Sequence, residues 1–265
     1  MIRHIALALP LFLATPALSA SSQWQQSEGG AVRIVTSGLP DAEGRLKGAL
    51  EIELKPGWKT YWRNPGAAGI PPQLDVSRST HVSAVDMQFP PPQRIQDGDV
   101  TWAGYKHSVS LPVTFTMDRP DAVALIDADV FLGICETICI PFQASFLFDP
   151  GADADNAADA LAVERAFAHL PAPAGAGFGI THISRSVDAL TLTASLPEGA
   201  QSPLLFIDHS LSRHLGTPRL AEQKNETANF VVEIFDDAGG KLEGSALIYT
   251  LTAGEKAVMG ESEIP

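Results

Sequence analysis

RLKGALEIELK, residues 45–55, is the stretch on which the fold turns. Leu46, Gly48, Leu50, Ile52 and Leu54 share one side of an extended chain, and Arg45, Lys47, Glu51, Glu53 and Lys55 share the other. A period of two with one apolar and one charged side describes a strand half buried and half wet, as in antiparallel sheets. The pattern returns at 123–132, where Ala124, Ile126, Ala128, Val130 and Leu132 alternate with Asp127, Asp129 and Phe131. It returns again at 189–196 through Leu190, Leu192, Ala194 and Leu196. Further strands are predicted at 31–36, 58–62, 82–89, 109–116, 143–148, 204–209, 230–235 and 246–252. Turn-forming runs punctuate them, among them Asn64-Pro65-Gly66, Pro90-Pro91-Pro92 and residues 236–240. Many short strands with Gly and Pro turns predict an all-β chain of sandwich type.

One segment departs from the rhythm. Residues 155–170 are rich in Ala, and Ala160, Val163, Phe167 and Leu170 recur at helical spacing, which predicts a short helix. The Pro/Gly-rich run 171–177 reads as a hinge or linker. The expected organisation is a sandwich module at 22–150, helix and linker at 151–175, and a second sandwich module of unassigned role at 176–265.

Composition narrows the function. The chain has 265 residues, 45% of them hydrophobic, enough for one or two cored domains. Net charge is −13, divided as +1 over residues 1–20, −5 over 21–150 and −9 over 151–265. Neither module is basic, which argues against nucleic acid as a partner. Residues 1–20 place Arg3 before an apolar stretch from Ile5 to Leu13 and end in Ala17-Leu18-Ser19-Ala20, the layout of a secretory signal peptide cut after Ser19 or Ala20. Pro10 and Pro16 interrupt it too early for a spanning helix, and no later stretch is long and apolar enough to span. The expectation is an exported, periplasmic protein with no membrane span in the mature chain, in a compartment where disulfides form.

The chemistry concentrates in Cys135-Glu136-Thr137-Ile138-Cys139, followed by Ile140-Pro141. Along one extended strand four residues span about 13 Å, too far for a disulfide, whereas a tight turn or one helical turn brings the sulfurs together. Three readings stand. A passive staple over so short a loop contributes only about 2 kcal/mol, against about 4.7 kcal/mol for a hundred-residue loop. A short exposed loop is instead where a readily reduced bond sits, which favours redox function. The third reading is a binding module, copper-handling or chaperone-like, in which the pair is structural or holds Cu(I) with His107 as a candidate third ligand. No His lies within five residues of either Cys, and G-x-S-x-G, H-E-x-x-H and Gly-rich phosphate loops are missing.

Four blocks occur in a telling order: Gly57-Trp58-Lys59-Thr60-Tyr61-Trp62-Arg63-Asn64-Pro65-Gly66 through Gly69-Ile70-Pro71-Pro72, then Trp102-Ala103-Gly104-Tyr105, Leu111-Pro112-Val113-Thr114, and Cys135 to Pro141. Over about residues 30–150 the chain resembles the N-terminal periplasmic domain of the DsbD family of thiol:disulfide interchange proteins, especially its ScsB-like branch. The resemblance implies immunoglobulin-like sandwiches and protein-disulfide reductase chemistry without a cofactor or metal. It implies electron flow from a membrane-embedded DsbD/CcdA-like thiol carrier to exported thioredoxin-fold proteins. By the same resemblance Cys139 makes the intermolecular bond and Cys135 resolves it. A cap corresponds to residues 93–105, with Asp97, Asp99, Trp102 and Tyr105 shielding or docking and Tyr61 beneath. Three residues separate the cysteines here rather than five, and the Asp-Glu-Phe cap of the best-known members is absent. The family usually fuses this domain to a transmembrane carrier; with none following here, the expectation is a free-standing module served by a separate membrane reductase, the alternative being a piece of a longer gene product.

Overall fold

The structure is a computed structural model describing residues 20–66, 69–98, 100–119, 121–208, 215–235 and 242–265. The predicted signal peptide, apart from Ala20, and the turn at 236–240 lie outside the described residues. The first module runs β1 (Gln25–Gln26), β2 (Gly30–Ser37), β3 (Arg45–Leu54), β4 (Thr60–Gly66), β5 (Gln73–Asp75), β6 (Val82–Met87), β7 (Gln93–Asp97), β8 (Val100–Tyr105), β9 (Val109–Met117), β10 (Ile126–Cys135) and β11 (Cys139–Phe148). After α1 (Ala157–Ala168) come β12 (Ala172–Pro173), β13 (Gly179–Arg185), β14 (Ala189–Ser195), β15 (Leu204–Ile207), β16 (Arg219–Lys224), β17 (Thr227–Glu233), β18 (Ala246–Ala253) and β19 (Lys256–Glu263).

The alternation of β3 becomes the centre of a sheet ordered β1-β2-β3-β9-β6. Its apolar side meets that of β10 and β11, which form a second sheet with β5. Leu46, Leu50 and Ile52 from one layer and Ile126, Val130 and Leu132 from the other are buried in one core. Burying each such side chain contributes about 1.5–3 kcal/mol, so the two-residue period is what holds the layers face to face. A short sheet β4-β8-β7 completes the module. The second module repeats the plan with sheets β13-β14-β17-β16 and β12-β19-β18-β15 around a separate core that includes Leu192, Phe230 and Leu251. The chain is therefore an all-β, immunoglobulin-like, antiparallel sandwich protein with one helix between its modules.

Asn156 caps the helix, its side chain accepting from the N–H groups of Ala158 and Asp159 at 3.0 and 3.1 Å. Val163 and Ala166 bury themselves against Val35 and Ala49, so α1 is folded back onto the first module. The run expected to be a hinge is stitched down. Ala172–Pro173 pairs in parallel with Val258 and Met259 of β19, and the Ala174 N–H donates to the Met259 carbonyl at 2.8 Å. Pro173 fits because an edge strand tolerates a missing N–H.

The modules also clasp each other directly. Phe206, from β15, enters the first core and meets Trp62 edge-on at 5.8 Å. Arg63 pairs with Asp208 at 2.6 Å, and the Asn64 amide donates to the Ile207 carbonyl at 2.8 Å. Arg94, on β7, stacks over Phe206 and donates to the carbonyls of Leu205 and Pro218, both at 2.5 Å. Burial pulls its pKa down to about 10, which leaves it charged at neutral pH.

Candidate functional site

Cys135 ends β10 and Cys139 begins β11, directly opposite each other across a Glu136-Thr137-Ile138 turn. Of the two geometries that spacing allowed, the chain adopts the tight turn. The Cα atoms lie 4.1 Å apart and the sulfurs are bonded. Ten consecutive cross-strand pairs from Ile126–Phe148 to Cys135–Cys139 run without a register shift, so the hairpin is pinned by the buried Ile126, Val130, Leu132 and Phe146 far from the sulfurs.

Both cysteines stand on the face of the hairpin that turns away from the main core. Their surroundings differ sharply. Cys135 is only 1% exposed, gathered with Tyr61, Ile95 and Trp102, whereas Cys139 is exposed and the neighbouring Ile138 is 77% exposed. The cover over Cys135 comes from the sheet β4-β8-β7. Lys59, just before β4, exchanges backbone hydrogen bonds with Cys135, N–H to carbonyl in each direction, at 2.8 and 2.9 Å. Thr60 donates its hydroxyl to the Gly133 carbonyl at 2.8 Å. These bonds fix β4 alongside the end of β10.

Tyr61 then reaches the disulfide. Its hydroxyl lies 3.1 Å from the Cys139 sulfur, and because that sulfur is bonded, the phenol is the donor. A side chain at Gly133 would meet the Tyr61 ring at 3.2 Å, and one at Gly69 would meet it at 2.5 Å. Two glycines thus clear the slot that aims the phenol. Gly69 also holds φ at +127°, a conformation other residues rarely adopt. Trp102 closes edge-on against Tyr61 with ring centres 5.3 Å apart, and the Lys59 ammonium sits 5.0 Å from the Trp102 ring centre.

Of the residues the resemblance assigned to the site, the structure brings Cys135, Cys139, Tyr61 and Trp102 together. Tyr105 lies elsewhere, buried in the main core with its hydroxyl donating to the Pro90 carbonyl at 2.8 Å; burial holds its pKa well above the ordinary phenol value. The backbone of Asp97 pairs with Val100 at the tip of the β7–β8 hairpin, while its side chain and Asp99 lie outside the described residues. Ile95, Lys59, Gly69 and Gly133 received no role from sequence reasoning. A signal for Lys59 was present. In Trp58 to Arg63, Trp58 and Trp62 fall on the core side, which leaves Lys59 and Tyr61 on the side that meets Trp102. Among the described residues no three His, Cys, Asp or Glu side chains converge as a metal site, and no helix is long and apolar enough to cross a membrane.

A sandwich whose edge hairpin bonds a buried cysteine to an exposed one is, by class, a cystine-bearing immunoglobulin-like domain. Residues 34–149 match the family of the N-terminal domain of thiol:disulfide interchange protein DsbD. Over nearly its whole length the chain is similar to the N-terminal periplasmic domain of ScsB from Proteus mirabilis, at 25% identity and a TM-score of 0.73, covering 92% of this chain and 98% of that one. Together these matches support a DsbD-type, ScsB-like N-terminal domain and point to the periplasm. No curated protein matches it significantly.

Proposed function

We propose that the protein is a periplasmic thiol–disulfide exchange module that takes electrons from a membrane thiol carrier and passes them to exported thioredoxin-fold proteins. The carrying observation is the asymmetry of the pair, with Cys135 at 1% exposure and Cys139 open to solvent. An incoming thiolate needs in-line access to a sulfur, and only Cys139 offers it. Attack there forms a mixed disulfide and breaks the internal bond, and Cys135 leaves with the electron pair as a thiolate. The donor's second thiol then attacks its own bridged sulfur and releases Cys139. Two electrons and two protons have entered, and the donor is oxidised. Onward transfer reverses these steps against an oxidised acceptor, with Cys139 attacking and Cys135 resolving. Tyr61 supplies a hydrogen bond to the Cys139 sulfur, and Trp102 and Ile95 keep water and stray thiols from Cys135. Equilibration with a dithiol redox buffer tests this reading. An exchange module shows a potential above about −300 mV, and its Cys135→Ser variant accumulates a mixed disulfide with a thioredoxin-fold protein. A lower potential together with no mixed disulfide would overturn it.

A further inference from the structure

The free edge of β11 begins at the exposed sulfur, and its backbone faces outward in a definable pattern. Gly133 and Cys135 direct their N–H groups away from β11, to the carbonyls of Ile70 and Lys59 at 3.1 and 2.9 Å. Their cross-strand partners, Pro141 and Cys139, are therefore non-hydrogen-bonded pairs in the β10–β11 ladder. By the two-residue period, Cys139, Pro141, Gln143 and Ser145 turn their backbone groups toward the open side, where β11 has no neighbouring strand among the described residues. Of these only Pro141 lacks an N–H.

Several other edges among the described residues are guarded. Strand β16 carries Arg219, Glu222 and Lys224, β13 carries Arg185, β6 carries Asp86, and β7 is tied to the second module through Arg94. Strand β11 has ten residues, no charge and no bulge. Charges, bulges and prolines are how sheet edges avoid adding a foreign strand; β11 carries one of these, Pro141, and leaves the outward N–H groups of Cys139, Gln143 and Ser145 open to pairing.

We propose that β11 is a docking edge that receives an extended segment lying beside a partner's reactive cysteine as an added β-strand, with Cys139 as the meeting point. This rests on the exchange function above and names how the partner is held. The Cys139 N–H and carbonyl pair with the partner backbone beside the forming S–S bond, and the Gln143 N–H and carbonyl fix its direction. Main-chain pairing of this kind accepts varied side chains, so it suits a carrier that serves several thioredoxin-fold proteins.

The variant Gln143→Pro removes an outward N–H and leaves the ladder to β10 whole, a position where an edge tolerates proline. Reduction of the oxidised protein is followed with reduced thioredoxin and, separately, with dithiothreitol, which needs no strand. The expected result is a fall of tenfold or more in the thioredoxin rate relative to the dithiothreitol rate. An unchanged ratio would overturn the docking edge. Wild-type protein that reacts with dithiothreitol but not with thioredoxin would instead defeat the exchange reading itself, and the docking edge with it. Should the proline variant fail to fold, amide hydrogen exchange on the Cys135→Ser protein trapped with thioredoxin decides. Slowed exchange at Cys139 and Gln143 supports the added strand, and unchanged exchange there refutes it.

Discussion

Each module buries a tyrosine in a slot cleared by two glycines, and the two tyrosines end differently. In the first, Tyr61 lies between Gly69 and Gly133 and its hydroxyl ends 3.1 Å from the Cys139 sulfur. In the second, Tyr249 lies against Gly179 and Gly260, where added side chains would approach its hydroxyl to 3.1 and 2.6 Å, and that hydroxyl accepts the Ile180 N–H at 2.9 Å. The same packing device closes a sheet in one module and aims a donor at a disulfide in the other. What separates them is the company. Around Tyr249 the partners are backbone, and around Tyr61 they are a sulfur, an indole and a strand edge. A fold shared by two halves of a chain thus says little about chemistry until the groups at the end of the slot are named.

The comparison breaks most severely at the glycines. Gly133→Val and Gly260→Val each force a side chain into a filled slot, and each is expected to cost about 1–3 kcal/mol, read as a lower Tm or denaturation midpoint. Only Gly133→Val should also change the rate at which dithiothreitol opens the disulfide, because only there does the displaced ring cover sulfur. Equal effects on that rate from both variants would erase the distinction.

Removing one hydroxyl at a time sharpens it. Tyr249→Phe leaves the Ile180 N–H without its partner and should cost about 1–3 kcal/mol with no change in redox behaviour. Tyr61→Phe should cost less, about 0.5–1.5 kcal/mol, since the sulfur is a weak acceptor. In the reduced protein, however, the lost donor no longer favours the Cys139 thiolate, so the pH profile of its alkylation by iodoacetamide should move to higher pH. An unshifted profile would reduce Tyr61 to the packing role of Tyr249.

The smallest effect is expected on the outer face of β10 away from the sulfurs. Arg78 hydrogen-bonds Asp127 and Asp129 there, and Arg78 followed by Ser145 holds the Asp129 carboxyl below its ordinary value. A carboxyl with a depressed folded pKa stabilises above its unfolded pKa, and that contribution is lost as pH falls through the lowered value. Arg78→Ala should therefore narrow the stability gap between neutral pH and pH 3, a small change because the network is solvent-exposed. Urea unfolding at the two pH values measures it.

How far the sequence carries can be judged element by element. The strands β3, β10 and β14 were legible because each has one dry and one wet face, so composition encodes direction. The sandwich class followed from those periods, while the cysteine spacing alone left a tight turn and one helical turn both open. The β7–β8 hairpin was harder. Residues 93–105 are polar at their start and were assigned as a cap only by resemblance, yet Asp97-Gly98 is a hairpin signal, and Gly98 sits at φ +59° in that turn. The unequal burial of the two sulfurs was not legible. It depends on Lys59 and Tyr61 meeting Cys135 and Cys139 from more than seventy residues away, a pairing no local pattern contains. Nor was the clasp of Arg94 and Phe206 across the modules, since a lone Arg among polar residues and a Phe in a strand look ordinary until the other surface is present.

The account stands on unequal access to two bonded sulfurs. The direct measurement is to react the oxidised protein with a small excess of a single-thiol reagent, quench with acid, and map the mixed disulfide by peptide mass spectrometry. The adduct is expected on Cys139, with the Cys135 sulfur recovered as free thiol. An adduct mainly on Cys135, or spread equally over both, would contradict the assignment of Cys139 as the sulfur that partners attack.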